Sequence, residues 1–368
     1  MRKILVTANL ESFYIKFLIP QLKEFKLNGY EIHIATKSEN LDVPYVDKKI
    51  DVCFARSFNI KDNIKSFKQM KQLIKSEKYD IISCHTPFGG AITRLAAKSV
   101  KSKAKIVYMA HGFHFYQGAP IKNWLLFYFA EKYLAKYTDV LLTINSEDYK
   151  IAKSKFDSSV KFVNGVGLDS DKFNFKFSAK EKINLRESLG LNKTDFVVVY
   201  PAELSKRKRQ IWLIKTIKDT FLERKDFHLL LPGKDSLKGK CQRLVKKYKL
   251  ENKIHFLGFR NDIPKIIKIS NLAVSSSKQE GLPVNIMEAV YNGLPIVATD
   301  CRGNRDLIKN GKNGFLINKN DRIEFVNKIM KIYKMNELQL EKIRAENKKI
   351  IKPYLLTEVI KDIMGVYK

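Results

Sequence analysis

Cysteine, proline and acidic residues are all scarce in this sequence of 368 residues. The four cysteines lie far apart and form no C-x-x-C pair, which argues against a disulfide framework and against a zinc site of the usual spacing. No apolar run approaches the ~20 residues that a membrane-spanning helix requires, since the densest one covers only 124–130. We therefore expect a protein of a reducing compartment that does not cross a membrane.

The opening segment MRKILVTANL is apolar, but it is too short to be a secretory signal and it meets Glu11 before any cleavage-like site. It predicts a first strand instead. Hydrophobic residues make up 45% of the chain, so disorder is not expected and enough apolar side chains are present for two cores.

The shortage of acids gives the chain a strong positive charge. Lys and Arg total 69 against 38 Asp and Glu, a formal net charge of +31 that is spread over both halves of the chain. Nucleic-acid-binding proteins usually concentrate such charge on one face, and no RNP, zinc-finger or helix-turn-helix pattern is present. An anionic membrane surface is the favoured partner, since each nearby Lys or Arg contributes ~1 kcal/mol. A Lys-rich composition with only solvated faces is the alternative.

Strands and helices alternate along the chain. Buried strands are predicted at 2–8 and 31–36, separated by a helix over 13–28 that Pro20 kinks. A short strand is predicted at 52–54, followed by a basic amphipathic helix over 61–77. This β-α-β order is typical of doubly wound parallel sheets.

Later segments continue the alternation. The further predicted elements are strands at 79–87, 195–200, 228–235, 253–260 and 271–277, and helices over 119–137, 180–189, 321–333 and 355–366. The helix over 119–137 is crowded with aromatic side chains between lysines, which suits an interfacial helix as well as one packed on a sheet. After the strand that begins near Asp139, Ser146 is predicted to cap a helix.

One stretch, from Ser275 to Asp306, organises the rest. Glu280 closes a Ser-rich strand end, a Gly-Leu-Pro turn follows, and a helix opens at about Val284 with Glu288 one turn inside. The first amides of a helix have no internal partner and its dipole is positive there, so this point suits a phosphate. Glu288 is placed to accept two hydrogen bonds from a ribose diol. The stretch predicts a nucleotide site; an ordinary strand, turn and helix with incidental acids is the alternative.

A cationic loop, SKRKR at 205–209, follows the strand that begins near Asp195. If this loop and the Gly-Leu-Pro turn both lie at strand carboxyl ends, its cations could stabilise a departing diphosphate. A solvated surface run is the alternative for the neighbours of Lys208.

These motifs resemble the E-x7-E signature of the retaining family 4 glycosyltransferases. The matching blocks are EGLP at 280–283, MEAV at 287–290 and NGLPIVATD at 292–300, and the resemblance covers nearly the whole chain. It is greatest to bacterial enzymes of capsular polysaccharide and exopolysaccharide assembly. It implies the α/β GT-B fold, with two Rossmann-like doubly wound domains facing across a cleft.

The resemblance also implies the division of the chain. Residues 1–167 would form the acceptor-binding domain and residues 168–350 the domain that binds the nucleotide sugar. Residues 351–368 would carry the last helix back onto the first domain.

Roles for individual residues follow from the same resemblance. Catalytic roles are implied for Glu280, His111 and Lys208, with His111 holding the donor sugar, although a core or loop histidine is the alternative. The expected donor-binding residues are Glu288, Gly281, Leu282, Pro283, Arg207, Ser205, Phe259 and Arg260. The expected acceptor-binding residues are Asn9, His85, Phe113 and His114.

The chain departs from the family in two places. Glu203 stands where an arginine is usual, so Arg207 or Arg209 would have to take its place on the diphosphate. The loop at 8–12 also lacks the glycine pair that many relatives carry, which puts direct phosphate contact from that loop in doubt.

No metal and no other cofactor is expected beside the nucleotide-sugar substrate. His111 and His114 stand three apart but lack a nearby acidic or Cys third ligand. Asp169 and Asp171 imitate a D-x-D metal motif, but they fall in the block that resembles the linker between domains and are expected to cap the next turn.

The expected activity is therefore transfer of a hexose or N-acetylhexosamine, with retention, from a nucleotide sugar with UDP as the expected nucleotide. The expected acceptor is a polyprenyl-diphosphate-linked saccharide of capsule or exopolysaccharide synthesis, on the cytoplasmic face of the cell membrane. A GT-B epimerase acting on the nucleotide sugar itself is one alternative, and a basic nucleic-acid-binding protein is another. The sequence names neither the sugar, nor the linkage, nor the oligomeric state.

Overall fold

A computed structural model describes residues 2–55 and 59–368. The chain divides into two compact units. Unit 1 contains the described residues up to Gly167 together with Leu356–Lys368, and unit 2 contains Leu168–Leu355. The predicted division after residue 167 falls at the same point. Residues 351–355, which were predicted to belong to the last helix segment, lie in unit 2.

The elements alternate along the described chain. The strands are β1 (Lys3–Leu10), β2 (Glu31–Lys37), β3 (Lys48–Asp51), β4 (Ile81–His85), β5 (Lys105–Ala110), β6 (Val140–Thr143), β7 (Ser159–Phe162), β8 (Phe196–Val199), β9 (Phe227–Pro232), β10 (Ile254–Gly258), β11 (Leu272–Ser275), β12 (Ile296–Thr299) and β13 (Gly314–Ile317). The α-helices are α1 (Glu11–Phe17), α2 (Ile19–Leu27), α3 (Ile60–Glu77), α4 (Pro87–Ser99), α5 (Ile121–Asn123), α6 (Phe129–Ala135), α7 (Ser146–Lys155), α8 (Ala179–Ser188), α9 (Gln210–Glu223), α10 (Lys240–Lys247), α11 (Ile263–Lys268), α12 (Val284–Tyr291), α13 (Asn304–Leu307), α14 (Arg322–Tyr333), α15 (Glu337–Ile351) and α16 (Leu356–Tyr367).

Each unit is built on one parallel sheet. Over residues 2–55 and 59–368, the strand order is β3-β2-β1-β4-β5-β6-β7 in unit 1 and β10-β9-β8-β11-β12-β13 in unit 2. All neighbouring strands pair in parallel. In both sheets the chain runs outward from the first strand to one edge and then returns to its other side, as in a Rossmann fold. The predicted pair of doubly wound sheets is confirmed.

Buried strands explain why both sheets form. β1 and β4 are almost wholly buried, and β8, β9, β11 and β12 are mostly apolar and buried along nearly their whole length. Such continuous runs are typical of parallel strands with helices on each side. A cluster of buried apolar side chains lies between the sheet of unit 1 and helices α3, α4 and α7, and a second cluster fills unit 2.

Some local predictions differ from the structure. The helix predicted over 13–28 is two helices that meet at Leu18, because Pro20 lies in the first turn of α2, where its missing N–H is tolerated. The strand predicted at 52–54 is wrong, since β3 covers Lys48–Asp51 instead. Asn145, not Ser146, caps α7, and its side chain accepts a hydrogen bond from the amide of Asp148.

The helix predicted over 119–137 is interrupted by a π-helical turn, Trp124–Tyr128, between α5 and α6. Within the described ranges, no helix is both long enough and apolar enough to span a membrane.

Helix α16 completes unit 1, although it follows unit 2 in the chain. The hydroxyl of Tyr30 donates to the carbonyl of Tyr367 at 3.0 Å, and Nζ of Lys105 donates to the carbonyl of Val366 at 2.6 Å. The ring of Tyr367 packs edge-on against Phe25 of α2. These contacts fix the helix to both sides of β1.

Candidate functional site

Each unit has a point where the strand order reverses, and several of the candidate site residues lie there. In unit 1 this point lies between β1 and β4, and in unit 2 between β8 and β11. Helices cover the sheet on opposite faces on either side of such a point, which leaves a crevice beyond the strand carboxyl ends where ligands bind. We describe the site of each unit separately.

Glu280 of unit 2 is a buried carboxylate held by two cations. Nζ of Lys208 donates to its Oε1 at 2.6 Å, and Nη1 of Arg207 donates to its Oε2 at 2.8 Å. Burial opposes ionisation, but the charges of Lys208 and Arg207 outweigh it and hold the pKa of Glu280 below its usual range. Glu280 is therefore ionised, and both of its oxygens are occupied.

Hydrogen bonds join the cationic loop after β8 to the end of β11. The carbonyl of Lys208 accepts from the hydroxyl of Tyr200 at 3.1 Å and from that of Ser276 at 2.8 Å. The hydroxyls of Tyr200 and Ser277 lie 2.8 Å apart. These buried contacts fix the backbone from which the side chain of Lys208 projects, so the cation is positioned in advance.

Of the two candidate arginines, Arg207 lies beside Glu280. Arg209 donates to the carbonyl of Lys319 at 2.6 Å, and its guanidinium lies 4.7 Å from the ring centre of Trp212. Glu203, at the position where the family carries an arginine, accepts a hydrogen bond from Ser236. Arg209 and Glu203 thus have partners away from Glu280.

Ser205 helps to shape the same loop. Its amide donates to Oε1 of Gln210 at 3.1 Å, and Gln210 also donates to the carbonyl of Glu203 at 3.0 Å. Gln210 is fully buried at the start of α9, so it locks both ends of the loop.

The Gly-Leu-Pro turn leads directly into α12. The carbonyl of Pro283 accepts from the amides of Ile286 and Met287, each at 3.1 Å, so the amides before them have no acceptor within the helix. Gly281 and Leu282 form the approach to this N-terminus. Gly303 packs on the turn with φ +73°, and a Cβ there would lie 2.5 Å from the carbonyl oxygen of Gly281. The site can offer backbone N–H groups to an anion.

Glu288 differs sharply from Glu280. It is partly buried one turn into α12, and over residues 2–55 and 59–368 no hydrogen bond or ion pair reaches its carboxylate. Burial raises its pKa to about 7, with only a small opposing effect from the charge of Lys172. A carboxylate that is desolvated without a partner is well suited to accept hydrogen bonds from a ligand.

Phe259 and Arg260 follow β10, two strands away from β8. The ring of Phe259 is 67% exposed, and Arg260 is engaged by both carboxylate oxygens of Asp262 at 2.6 and 2.5 Å. Over residues 2–55 and 59–368, neither residue forms a hydrogen bond or an ion pair with Glu280, Lys208 or Arg207, so their predicted place beside the donor rests on the resemblance alone.

Unit 1 has a pocket of about 400 Å³ at its own reversal point. It lies beyond the carboxyl ends of β1 and β4 and is lined by Asn9, Leu10, Ser12, Phe13, Lys16, Phe17, Thr86, Pro87, Phe88 and His114. We call it the polar pocket. Its lining contains one lysine and no Asp or Glu, so it favours an anionic or neutral polar ligand.

Asn9, in the lining of this pocket, is held by three hydrogen bonds. Its Oδ1 accepts from the hydroxyl of Thr86 at 2.5 Å and from the amide of Gly89 at 2.9 Å, while its Nδ2 donates to the carbonyl of Ala55 at 2.9 Å. A Cβ at position 89 would lie 2.6 Å from Oδ1, which explains the glycine. With its amide so engaged, Asn9 orients the start of α4.

His111 stands at the end of a chain of buried hydrogen bonds that we call the relay. Its Nε2 lies 3.1 Å from Nδ1 of His85, and Nε2 of His85 lies 3.1 Å from the hydroxyl of Ser83. That hydroxyl lies 2.6 Å from the hydroxyl of Tyr367 on α16. Burial lowers the pKa of His111 to about 4 and that of His85 well below its usual value. Both imidazoles are therefore neutral near pH 7, with their tautomers set by the relay.

His85 and Phe113 are not accessible for direct contact with a ligand. His85 is fully buried, and its two nitrogens are engaged within the relay. Phe113 is buried in the core and stacks on Phe115 with ring centres 4.6 Å apart. His114, in contrast, lines the polar pocket. A loop pattern cannot distinguish these cases, since burial depends on which way each residue turns.

Asp169 caps the short 3₁₀ helix Ser170–Phe173, as predicted. Its side chain accepts from the amide of Asp171 at 3.2 Å. Over the residues that the structure describes, no group of three or more His, Cys, Asp or Glu side chains is arranged to hold a metal ion.

Sequence reasoning missed several residues that support these sites. Arg302 donates through Nε to the carbonyl of Glu280 at 3.0 Å. Tyr200 and Ser276 donate to the carbonyl of Lys208, and Tyr367 reaches His111 only through the relay. Tyr200 directly follows the apolar strand β8, so a hydroxyl at that position could have been predicted to form hydrogen bonds near the site. Nothing in the sequence links Tyr367 to His111, which lies 256 positions before it.

Comparison with known proteins gives matches along both units. Residues 181–349 match the family model Glycosyl transferases group 1, and residues 3–145 match the model Glycosyl transferase 4-like. EpsD of Bacillus subtilis (strain 168) is 36% identical over 371 residues, which cover 100% of this chain and 96% of that protein.

A second relative is the UDP-Gal:alpha-D-GlcNAc-diphosphoundecaprenol alpha-1,3-galactosyltransferase of Escherichia coli. It is 29% identical over 362 residues, covering 94% of this chain and 92% of that one. Among solved structures, Anabaena Alr3699/HepE in complex with UDP and glucose has a TM-score of 0.80 at 19% identity, covering 100% and 99% of the two chains. These similarities span the candidate sites of both units.

Proposed function

Because this chain belongs to the family 4 (group 1) glycosyltransferases and has the GT-B fold, we propose that it moves a hexose or N-acetylhexosamine from a UDP sugar to a lipid-linked saccharide. The observation that carries the proposal is the buried Glu280, which holds Lys208 and Arg207 close to the N-terminus of α12. Two cations and free helix amides together suit a diphosphate.

The donor is assigned to unit 2. The diphosphate would lie against Lys208, Arg207 and the first amides of α12, and the ribose diol would donate to Glu288. The complex of Anabaena Alr3699/HepE with UDP and glucose supports the choice of a UDP sugar as the donor, since that protein shares the fold. The unpaired carboxylate of Glu288 supports it independently.

The chemistry follows from the charges. When the bond between sugar and diphosphate breaks, negative charge grows on the departing UDP, and cations fixed in advance stabilise it without reorganising. Glu280 cannot act as a free nucleophile while each of its oxygens holds a cation, so its role is to position Lys208 and Arg207. We therefore favour attack by the acceptor on the face that UDP leaves, with retention and without a metal.

His111 would contribute from unit 1 as a neutral group. His111 is half-buried, and an imidazole whose pKa is lowered to about 4 by burial can hydrogen-bond to a sugar hydroxyl without adding a positive charge. Its backbone carbonyl could serve the same purpose. In this proposal the histidine binds a sugar hydroxyl and adds no charge of its own.

The acceptor is assigned to the polar pocket of unit 1. The E. coli relative, by its name, acts on a sugar linked through a diphosphate to undecaprenol. An acceptor of this kind resides in a membrane, and we propose a role in capsule or exopolysaccharide synthesis at the cytoplasmic leaflet.

Two helices of unit 1 support peripheral attachment to that leaflet. Five exposed lysines, Lys61, Lys65, Lys68, Lys71 and Lys75, lie along one face of α3. The segment from α5 to α6 exposes large apolar side chains, namely Ile121, Leu125, Leu126, Phe129 and Tyr133. Both segments pack against the same core cluster of unit 1. Electrostatic attraction and shallow insertion together can anchor a protein when neither suffices alone.

A donor screen tests the proposed function. Purified protein would be incubated with UDP sugars and lipid-linked saccharides, with and without excess EDTA, and the products read by mass spectrometry. We expect transfer to the lipid-linked acceptor that EDTA does not abolish. Conversion of the donor alone would indicate an epimerase, and the absence of both reactions beside salt-sensitive binding to nucleic acid would indicate the other alternative.

A further inference from the structure

A second pocket of unit 1, of about 130 Å³, adjoins the polar pocket. It is lined by Pro87, Phe88, Ala91, Leu126, Phe127, Ala130, Glu131 and Leu134, and we call it the apolar groove. Pro87 and Phe88 belong to both linings. His114 of the polar pocket also stacks on Phe127 of the groove, with ring centres 4.5 Å apart. A single ligand could therefore occupy both.

Glu131 is the one charged side chain in the groove lining, and both of its oxygens are paired with Arg94 and Tyr108. Oε2 of Glu131 accepts from Nη2 of Arg94 at 2.9 Å, and its Oε1 accepts from the hydroxyl of Tyr108 at 3.1 Å. The guanidinium of Arg94, in turn, lies 3.8 Å from the ring centre of Tyr108. A hydrocarbon in the groove would meet no unpaired charge, so its burial there carries no desolvation penalty from Glu131.

The rim of the groove is apolar and open to solvent. Leu126 is 54% exposed, and Phe129, in the next turn, is 59% exposed. Lys122 and Lys132 flank this helical segment, and Lys16 lines the polar pocket. The charges thus match an amphiphile whose anionic group lies near the polar pocket and whose tail enters the groove.

We propose that the apolar groove binds the first isoprenoid unit of the acceptor lipid, while the polar pocket holds the diphosphate and the sugar next to it. This inference rests on the proposed function and adds a lipid subsite to it. An isoprenoid diphosphate has its polar and apolar parts in the same order as the two pockets. The enzyme would then bind the lipid part of the acceptor directly, in addition to meeting the acceptor at the membrane surface.

Two adjacent leucines provide a matched test. Leu125 and Leu126 lie on the same segment with 61% and 54% exposure, but only Leu126 lines the groove. The acceptor saccharide diphosphate found active in the donor screen would be prepared with a farnesyl or a methyl group and assayed in detergent-free solution. For the wild type we expect kcat/KM to be at least roughly tenfold higher with the farnesyl acceptor, because several carbons are buried.

Leu126→Ala should reduce this preference severalfold, and Leu125→Ala should leave it unchanged. Ala130→Phe, at an exposed position on the rim, should remove the preference by filling the groove, with activity on the methyl acceptor retained. That retained activity shows that the variants are folded.

Equal use of the two acceptors by the wild type would overturn the lipid subsite while the proposed transfer stands. Equal losses of the preference for Leu125→Ala and Leu126→Ala would also overturn it, because they would show that the farnesyl group contacts exposed apolar side chains in general and not the groove. Failure to glycosylate any acceptor would overturn the proposed function and the subsite with it.

Discussion

At the scale of single residues, Glu280 and Glu288 show how position determines the state of a carboxylate. Glu280 is more deeply buried, yet its pKa is lowered because Lys208 and Arg207 are in contact with it. Among residues 2–55 and 59–368, Glu288 has no such partner, and its pKa is raised to about 7. The two acids are eight positions apart in the sequence. Glu280 holds two cations, whereas the carboxylate of Glu288 is available to accept hydrogen bonds from a ligand.

Glu288→Gln should weaken binding of a UDP sugar by ~1–3 kcal/mol, the usual effect of losing a charged acceptor. If the ionised carboxylate of the wild type binds the diol as proposed, affinity should rise by up to about tenfold as the pH increases from 6 to 8. The variant should show no such rise. Calorimetry with a UDP sugar checks both, since its diphosphate diester does not titrate in this range. Unchanged affinity in the variant would rule out the ribose contact.

The same variant should be more stable than the wild type at pH 8. The pKa of Glu288 is about 7 in the folded protein and near 4.5 in the unfolded chain. Its contribution to the stability of the folded protein is therefore lost as the pH rises from 4.5 through 7. Urea unfolding at pH 5 and pH 8 should therefore show the advantage of Gln only at the higher pH.

Lys208→Ala should lower turnover more than it lowers affinity for the sugar nucleotide, because the charge on the leaving group grows in the transition state. Lys206→Ala is the control, since Lys206 lies in the same loop but is exposed. Steady-state kinetics and calorimetry give the two quantities. Equal losses in turnover and affinity would mean that Lys208 only binds the ground state.

Tyr367→Phe should alter His111 through the relay. Loss of the hydroxyl removes one end of the hydrogen-bond chain, so the tautomers of His85 and His111 should become mixed and turnover should fall severalfold. Tyr30→Phe is the control, because it removes a hydrogen bond to the backbone carbonyl of Tyr367 and leaves every side-chain hydrogen bond of the relay in place. Imidazole ¹⁵N shifts report the tautomers. If both variants give wild-type shifts and equal turnover, Tyr367 has only a structural role.

At the scale of elements, the turn before α12 depends on close backbone packing. Gly303→Ala should be destabilising, because φ is +73° and the new Cβ would lie 2.5 Å from a carbonyl oxygen of the turn. Gly311→Ala is the control, since its φ is +80° but nothing lies within 4 Å of its Cβ. Backbone strain alone costs ~1–2 kcal/mol. Urea unfolding should show a larger loss at 303, together with weaker UDP binding; equal losses would exclude the contact.

The elements that could be predicted are those whose signal is local. Apolar runs identified β1, β8 and β11, and the Gly-Leu-Pro turn located the start of α12. β3 was misplaced because its residues are exposed and only pairing with β2 defines it. Helix α15 was not predicted, since few of its side chains are buried, although Asn336 and Gln339 form a capping box that signals its start.

For the candidate sites the limit was different. The acids and cations of unit 2 could be predicted because they lie within two short motifs. The relay and the apolar groove could not, since each joins residues from distant segments that carry no common pattern. Phe113 illustrates the difficulty, because it lies in the same aromatic loop as His114 but turns into the core.

At the scale of the whole molecule, charge and exposed apolar side chains favour attachment to an anionic surface. Replacing the five lysines of α3 by Gln should weaken binding to vesicles of anionic lipid while leaving donor hydrolysis intact. Salt should also release the wild type, because exposed charges are screened beyond ~8 Å at physiological ionic strength. Co-sedimentation at low and high salt measures this. If the wild type does not bind anionic vesicles at low salt, the net charge of +31 has no role in membrane attachment and reflects only the Lys-rich composition.

The position of α16 in the chain also has a consequence for biosynthesis. Unit 1 begins to emerge from the ribosome first, but Tyr367 reaches Ser83 and Tyr30 only after all of unit 2 has been translated. Until then the nascent unit 1 lacks the helix that covers Phe25 and ends the relay. Unit 2 is contiguous and can fold as soon as it has emerged. Unit 1 can therefore be completed only after the whole of unit 2 has been translated, although its own synthesis starts first.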